Sequence, residues 1–124
     1  MPKSRSIRML LAGASMAALT VSLAPAASAA PLNLSTGTSG TQTVAANQTY
    51  DYVVINDYEI TGDFDNYGIV GGFTAPVGIT VTNSSTITGT LHNEAGGQIW
   101  ASHAGILVLG SNVPAIVNDG TINV

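Results

Sequence analysis

From Tyr50 onward, apolar residues come in short runs separated by Asn, Asp, Gly and Thr. Tyr52-Val53-Val54-Ile55, then Ile60, then Gly78-Ile79-Thr80-Val81 have the length of strands and no 3.6-residue spacing. The residues between them tolerate left-handed backbone geometry and mark turns. Helix formers are scarce after Ala30, where the chain has no Lys, Arg or Met and only two Glu. The pattern predicts an all-β protein.

The runs also repeat. Val54 to Gly62, VINDYEITG, returns as Val81 to Gly89, VTNSSTITG, an offset of 27 along the chain. Set side by side without a gap, residues 54–81 and 81–108 share nine identities, among them Val54/Val81, Asn56/Asn83, Ile60/Ile87, Asn66/Asn93 and Gly78/Gly105. Phe64/Leu91 and Phe73/Trp100 match as large apolar pairs. A third copy begins at Ile116-Val117-Asn118-Asp119-Gly120-Thr121-Ile122, displaced by eight residues.

A period in the twenties signals stacked supersecondary units, and this composition lacks the helical half that leucine-rich, ankyrin or tetratricopeptide units need. Short strands at a fixed interval describe a β-solenoid, with like residues stacked about 4.8 Å apart along its axis. The expected architecture is two to three coils of a parallel β-helix, with copies at 54–80, 81–107 and, in part, 116–124. Residues 30–49, rich in Ser, Thr, Gly, Asn and Gln, are expected to be a polar lead-in or N-terminal cap. Ile60, Ile87 and Ile122 would form an apolar ladder inside, and Asn56, Asn83 and Asn118 a ladder at a bend. The changed residues, Asp57-Tyr58-Glu59 against Ser84-Ser85-Thr86, would lie mostly on the outer face or in a turn.

The segment 1–29 changes the charge picture. Lys3, Arg5 and Arg8, an apolar run from Met9 to about Leu23, and Ala27-Ser28-Ala29 form a secretory signal peptide cleaved after Ala29. Gly13, Ser15, Thr20, Ser22 and Pro25 leave it short of the about 20 apolar residues of a membrane span. With no Cys and no Arg-Arg pair, neither a lipoprotein anchor nor the twin-arginine route applies. All three basic residues leave with the signal, so the mature chain carries seven acids and no Lys or Arg. Nucleic acid and anionic lipid are excluded as partners, since nothing neutralises phosphate. Stability must also come without disulfides, although export would allow them.

Few candidate chemical sites emerge. Asp63-Phe64-Asp65-Asn66-Tyr67-Gly68 starts like a calcium loop, but Tyr67 and Thr74 stand where ligands should, and the second copy has Thr90 and His92 in place of the acids. His92 and His103 lack the spacing of a zinc pair. Ser102-His103 are neighbours without a Gly-x-Ser-x-Gly elbow. Asp57, Glu59, Asp63 and Asp65 could supply the carboxylate pair of a glycosidase, but basic residues to bind an acidic sugar are missing. No catalytic, cofactor-binding or metal residue is therefore assigned, and no enzyme activity is expected.

Ile116-Val117-Asn118-Asp119-Gly120-Thr121-Ile122, Val81-Thr82-Asn83-Ser84-Ser85-Thr86-Ile87 and His103-Ala104-Gly105-Ile106 resemble the degenerate repeats of bacterial autotransporter passengers, over residues 50–124. The resemblance implies a right-handed parallel β-helix, export through an outer membrane and display on the cell surface or release. It also implies a C-terminal β-barrel translocator, which this chain lacks, so the repeats read as truncated. The functional expectation is the opening coils of a structural or adhesive surface module, with a host or glycan ligand and self-association through the last coil. Two alternatives are a small secreted binder of glycan or ice, using Thr41/Thr43, Thr80/Thr82 and Thr86/Thr88/Thr90, and a fragment of a β-helical polysaccharide-degrading enzyme. A threonine array needs one face in every coil, whereas Thr86 aligns with Glu59 and Thr90 with Asp63.

Overall fold

The computed structural model describes residues 29–72 and 74–124. The segment 1–29 expected to be a signal peptide therefore lies outside the described residues, apart from Ala29, and so does Phe73. Among the described residues every regular element is a strand, and no helix is long and apolar enough to cross a membrane.

The strands form four coils. The first contains β1 (Leu32–Ser39), β2 (Gln42–Val44) and β3 (Thr49–Tyr50); the second, β4 (Val53–Ile60), β5 (Phe64–Asn66) and β6 (Ile69–Gly71). The third contains β7 (Val77–Thr82), β8 (Thr86–Ile87), β9 (Thr90–Asn93) and β10 (Gln98–Trp100); the fourth, β11 (Ala104–Leu109), β12 (Ala115–Asn118) and β13 (Thr121–Asn123). Each coil gives one segment to each of three parallel sheets, ordered β1-β4-β7-β11 with β8 beside β4, β2-β5-β9-β12, and β3-β6-β10-β13. The chain is a β-solenoid with three faces, here called first, second and third in chain order.

The core is a set of ladders. On the first face Val53 lies under Ile79 and Ile106, Ile55 under Val81 and Val108, and Ile60 under Ile87. Phe64 and Leu91 stack on the second face, and Val70, Ile99 and Ile122 on the third. Phe64, Leu91, Ile60, Ile87 and Ile99 are fully buried. Each such side chain contributes about 1.5–3 kcal/mol of burial, so the stack supplies stability in a chain that has no disulfide.

Three sequence-based expectations are corrected by the register. The lead-in is itself a coil: Leu32 pairs with Val53 and Gln42 with Phe64, spacings shorter than the later period, so a search at 27 passes over them. The solenoid thus has four coils, where two to three were expected.

The Val54/Val81 identity is not a stacked pair. Val54 lies beside Thr80, and the buried Val81 stacks on the buried Ile55. One extra residue then enters the third coil at Asn83-Ser84, both at positive φ (54° and 60°), where the second coil has only Asp57 at 54°. This bulge restores the offset of 27 at Ile60/Ile87. Beyond it, Ser85 is buried, contrary to the outward position expected. Its hydroxyl shares its one proton between the carbonyls of Thr82 (2.6 Å) and Ile55 (3.1 Å) and accepts the Tyr58 N–H at 3.1 Å.

The third copy lies on other faces from those assigned. Ile116-Val117-Asn118 pairs with Leu91-His92-Asn93, and Ile122 with Ile99, so Ile122 does not continue the Ile60/Ile87 ladder. Asn118 likewise joins Asn66 and Asn93, while Asn56 and Asn83 form a separate pair joined by a 2.6 Å hydrogen bond. The phrases read alike because two different corners of the coil both use asparagine. Trp100 pairs with Gly71.

Candidate functional site

Alternation along the second face places Phe64 and Asn66 inside and aims Asp65 between them outward; in β9, Leu91 and Asn93 are buried and His92 is outward. Asp65 and His92 are register partners in adjacent coils. Glu94 follows at the corner, and Asp119 is at the same corner one coil further on. His92 Nδ1 lies 3.0 Å from Glu94 Oε1, and Nε2 lies 2.8 Å from Asp119 Oδ2. Both ion pairs found among the described residues therefore converge on one imidazole.

The corner is rigid for reasons visible in its backbone. Asn66 Nδ2 donates to Asn93 Oδ1 at 2.8 Å, and Asn93 Nδ2 donates to Asn118 Oδ1 at 2.7 Å. At Gly97 a Cβ would meet the carbonyl oxygen of Asn66 and the side chain of Asn93, so the coils approach there only without a side chain. The outward side chains at this corner thus start from fixed backbone positions.

Electrostatics at the cluster are set by uncompensated acid. Burial, then the charges of Asp63 and Glu94, raise the Asp65 carboxyl above its ordinary value, with His92 opposing. The hydrogen bond to Asp119 raises His92; partial burial works against it, and Glu94, Asp119 and Asp65 add to it. The Glu94 charge also raises the Tyr67 hydroxyl.

A second outward feature lies on the first face. Thr36, Asp57, Asn83-Ser84 and Gly110 occupy the same bend in successive coils, all with φ between 50° and 60°. Beside this bend is a shallow open groove of about 350 Å³, lined by Thr38, Tyr58, Glu59 and Thr86 among others. The ring of Tyr58 lies over Gly37, where an added Cβ would come within 3.1 Å of it.

The residues weighed in the sequence are dispersed by the fold. Asp57 and Glu59 line the groove, while Asp65 is on the second face, so the four acids do not gather as one carboxylate set. Asp63 Oδ1 is engaged by the Thr90 N–H at 2.8 Å. Ser102 Oγ is 3.0 Å from His103 Nδ1, a contact between chain neighbours. Thr80 pairs with Val54, Thr86 with Glu59 and Thr43 with Asp65; within the paired strands no threonine stands over a threonine.

The grouping of Asp65, His92, Glu94 and Asp119 was not found in the sequence, although a signal existed. Asp65, His92 and Asp119 follow one another at the repeat period itself. Comparisons with known families, curated proteins and solved structures returned no match.

Proposed function

We propose that this chain is a structural surface module, the opening coils of an exported β-helical passenger of the autotransporter type, with no catalysis in this segment. The observation that carries the reading is the difference between the two ends of the stack. At one ladder position of the second face the residues run Gln42, Phe64, Leu91, Ile116, polar in the first coil and apolar in the last. Ile116 is 48% exposed and Leu109 52%, whereas Leu91 is fully buried. At this position a polar side chain on the first coil suits a solvent-facing end, even though Leu32, Leu34 and Val44 of that coil pack on the core. An apolar one on the last coil suits the seat of another coil. The signal-like segment 1–29 and the absence of cysteine agree with export and outer-surface display.

A second reading, a small secreted glycan binder, is favoured by the groove beside Tyr58, where an aromatic ring adjoins Glu59, Asp57 and threonine hydroxyls. One pair of measurements separates them. Fusing an extra coil copied from residues 81–107 after Val124 raises the melting temperature by several degrees if the last coil is an open seat. Carbohydrate-array binding that is lost on Tyr58→Ala, with the melting temperature unmoved by the added coil, would replace the module with the binder.

A further inference from the structure

His92, Asp65 and Glu94 bring an imidazole and two carboxylates to one point, with ligand atoms all within 4.8 Å of one another. Ligands about 2.1 Å from a common ion stand about 3–4 Å apart, so small side-chain rotations close this set on a metal. We propose that Asp65, Glu94 and His92 Nδ1 bind a divalent transition-metal ion of the Zn²⁺ or Mn²⁺ type.

The placement of Asp119 supports this independently of the acids themselves. Its Oδ2 lies 2.8 Å from His92 Nε2 and takes that N–H as a hydrogen-bond acceptor. A metal-binding histidine characteristically gives its second N–H to a carboxylate or carbonyl, which fixes the tautomer and orients the ring. In the metal-free chain Nδ1–H faces Glu94 at 3.0 Å; on metal binding Nε2–H stays with Asp119 and Nδ1 gives up its proton, presenting its lone pair to the ion. The charge balance points the same way: no Lys or Arg occurs after Arg8, so no protein cation other than a protonated histidine offsets these acids.

The donor set also selects the ion. Calcium prefers six to eight oxygen ligands, and an imidazole among three donors favours first-row transition metals. Asp65 comes from the second coil, His92 and Glu94 from the third, and Asp119 from the fourth. The ion would therefore fasten the second coil to the third, with the fourth holding the histidine in place. This role is independent of whether the module adheres to anything.

The test is a titration of the chelator-stripped chain with Zn²⁺, Mn²⁺ and Ca²⁺, read by calorimetry and thermal melting. The expected result is saturable 1:1 binding of Zn²⁺ or Mn²⁺ with a raised melting temperature, and Ca²⁺ at least about 10-fold weaker. Asp65→Asn and Glu94→Gln each weaken binding by at least about 10-fold, and Asp119→Asn by about 10- to 100-fold. In the unmodified chain, Mn²⁺ broadens the ring resonances of His92 before those of His103, a readout that stands even if a variant fails to fold. No saturable binding, affinity unchanged in both Asp65→Asn and Glu94→Gln, or broadening centred on His103 would overturn the site.

Discussion

Asn66 donates its side-chain amide to Asn93 across a 2.8 Å hydrogen bond, and both side chains are fully buried. Asn93 in turn donates to Asn118 at 2.7 Å and to the Thr121 carbonyl at 3.2 Å, so one side chain serves three coils. Removing it takes away the acceptor of the buried Asn66 amide and the donor to Asn118 and Thr121 of the last coil. Asn93→Ala should cost about 2–4 kcal/mol in urea denaturation, through lost hydrogen bonds and a cavity. Asn56→Ala, which breaks only the exposed bond to Asn83, should cost about 1 kcal/mol or less. Equal losses would mean that the buried ladder is not special.

The His92 cluster predicts the pH dependence of the metal-free chain. Its bond to Asp119 raises the His92 pKa, so the folded state holds this proton more tightly than the unfolded state. That contribution is fully present below the unfolded value of about 6.5 and is lost as pH rises through the folded pKa. Asp65 is raised as well, and it acts in the same direction from about pH 3.9 upward. Thermal melts should therefore show these two groups lowering stability as pH rises. An NMR titration should place His92 above 6.5, and Asp119→Asn should bring it down; a value unmoved by that change would remove the assigned cause.

Glycine at the third face tests how close the coils lie. Gly71 has φ +94°, and a Cβ there would collide with the Trp100 carbonyl oxygen. Gly96 has φ +90° with open space around it. Gly96→Ala therefore reports the backbone cost alone, about 1–2 kcal/mol. Gly71→Ala adds a clash with the neighbouring coil and should lose at least about 2 kcal/mol more. Circular-dichroism melts of the two variants suffice, and equal midpoints would show that the β6–β10 spacing yields.

Along the ladder Gln42-Phe64-Leu91-Ile116, the cost of truncation should depend on the coil. Leu91→Ala removes a side chain with neighbours above and below and should cost about 2–5 kcal/mol. Ile116→Ala, half exposed on the last coil, should cost about 1 kcal/mol. If Ile116→Ala were the more damaging, the last coil would be covered in solution, for example by a second copy of the chain.

Much of the fold was legible because stacking repeats residue types. Ile60/Ile87, Phe64/Leu91 and Asn66/Asn93 were aligned correctly from the period alone, and each is a register pair. What the period hid has physical causes. Turn residues at different corners obey the same backbone demands, so Asn56, Asn83 and Asn118 look equivalent although Asn118 belongs with Asn66 and Asn93. The first coil makes shorter corners and puts Gln42 where later coils put large apolar groups, which removes the hydrophobic signal. A single inserted residue at Asn83-Ser84 exchanges inside for outside over half a strand. The metal-type cluster stayed hidden for a different reason: its members were weighed one at a time, and only stacking makes Asp65, His92 and Glu94 neighbours.

The parallel register has a mechanical consequence. Every ladder hydrogen bond runs along the solenoid axis, so a pull on the chain ends peels coils away in succession, loading one rung at a time. Detaching one coil, the step between Ile60 and Ile87, would release about 90 Å of extended chain. Under tension such a stack would act as a sacrificial spring, giving length in instalments while the coils still wound keep their shape.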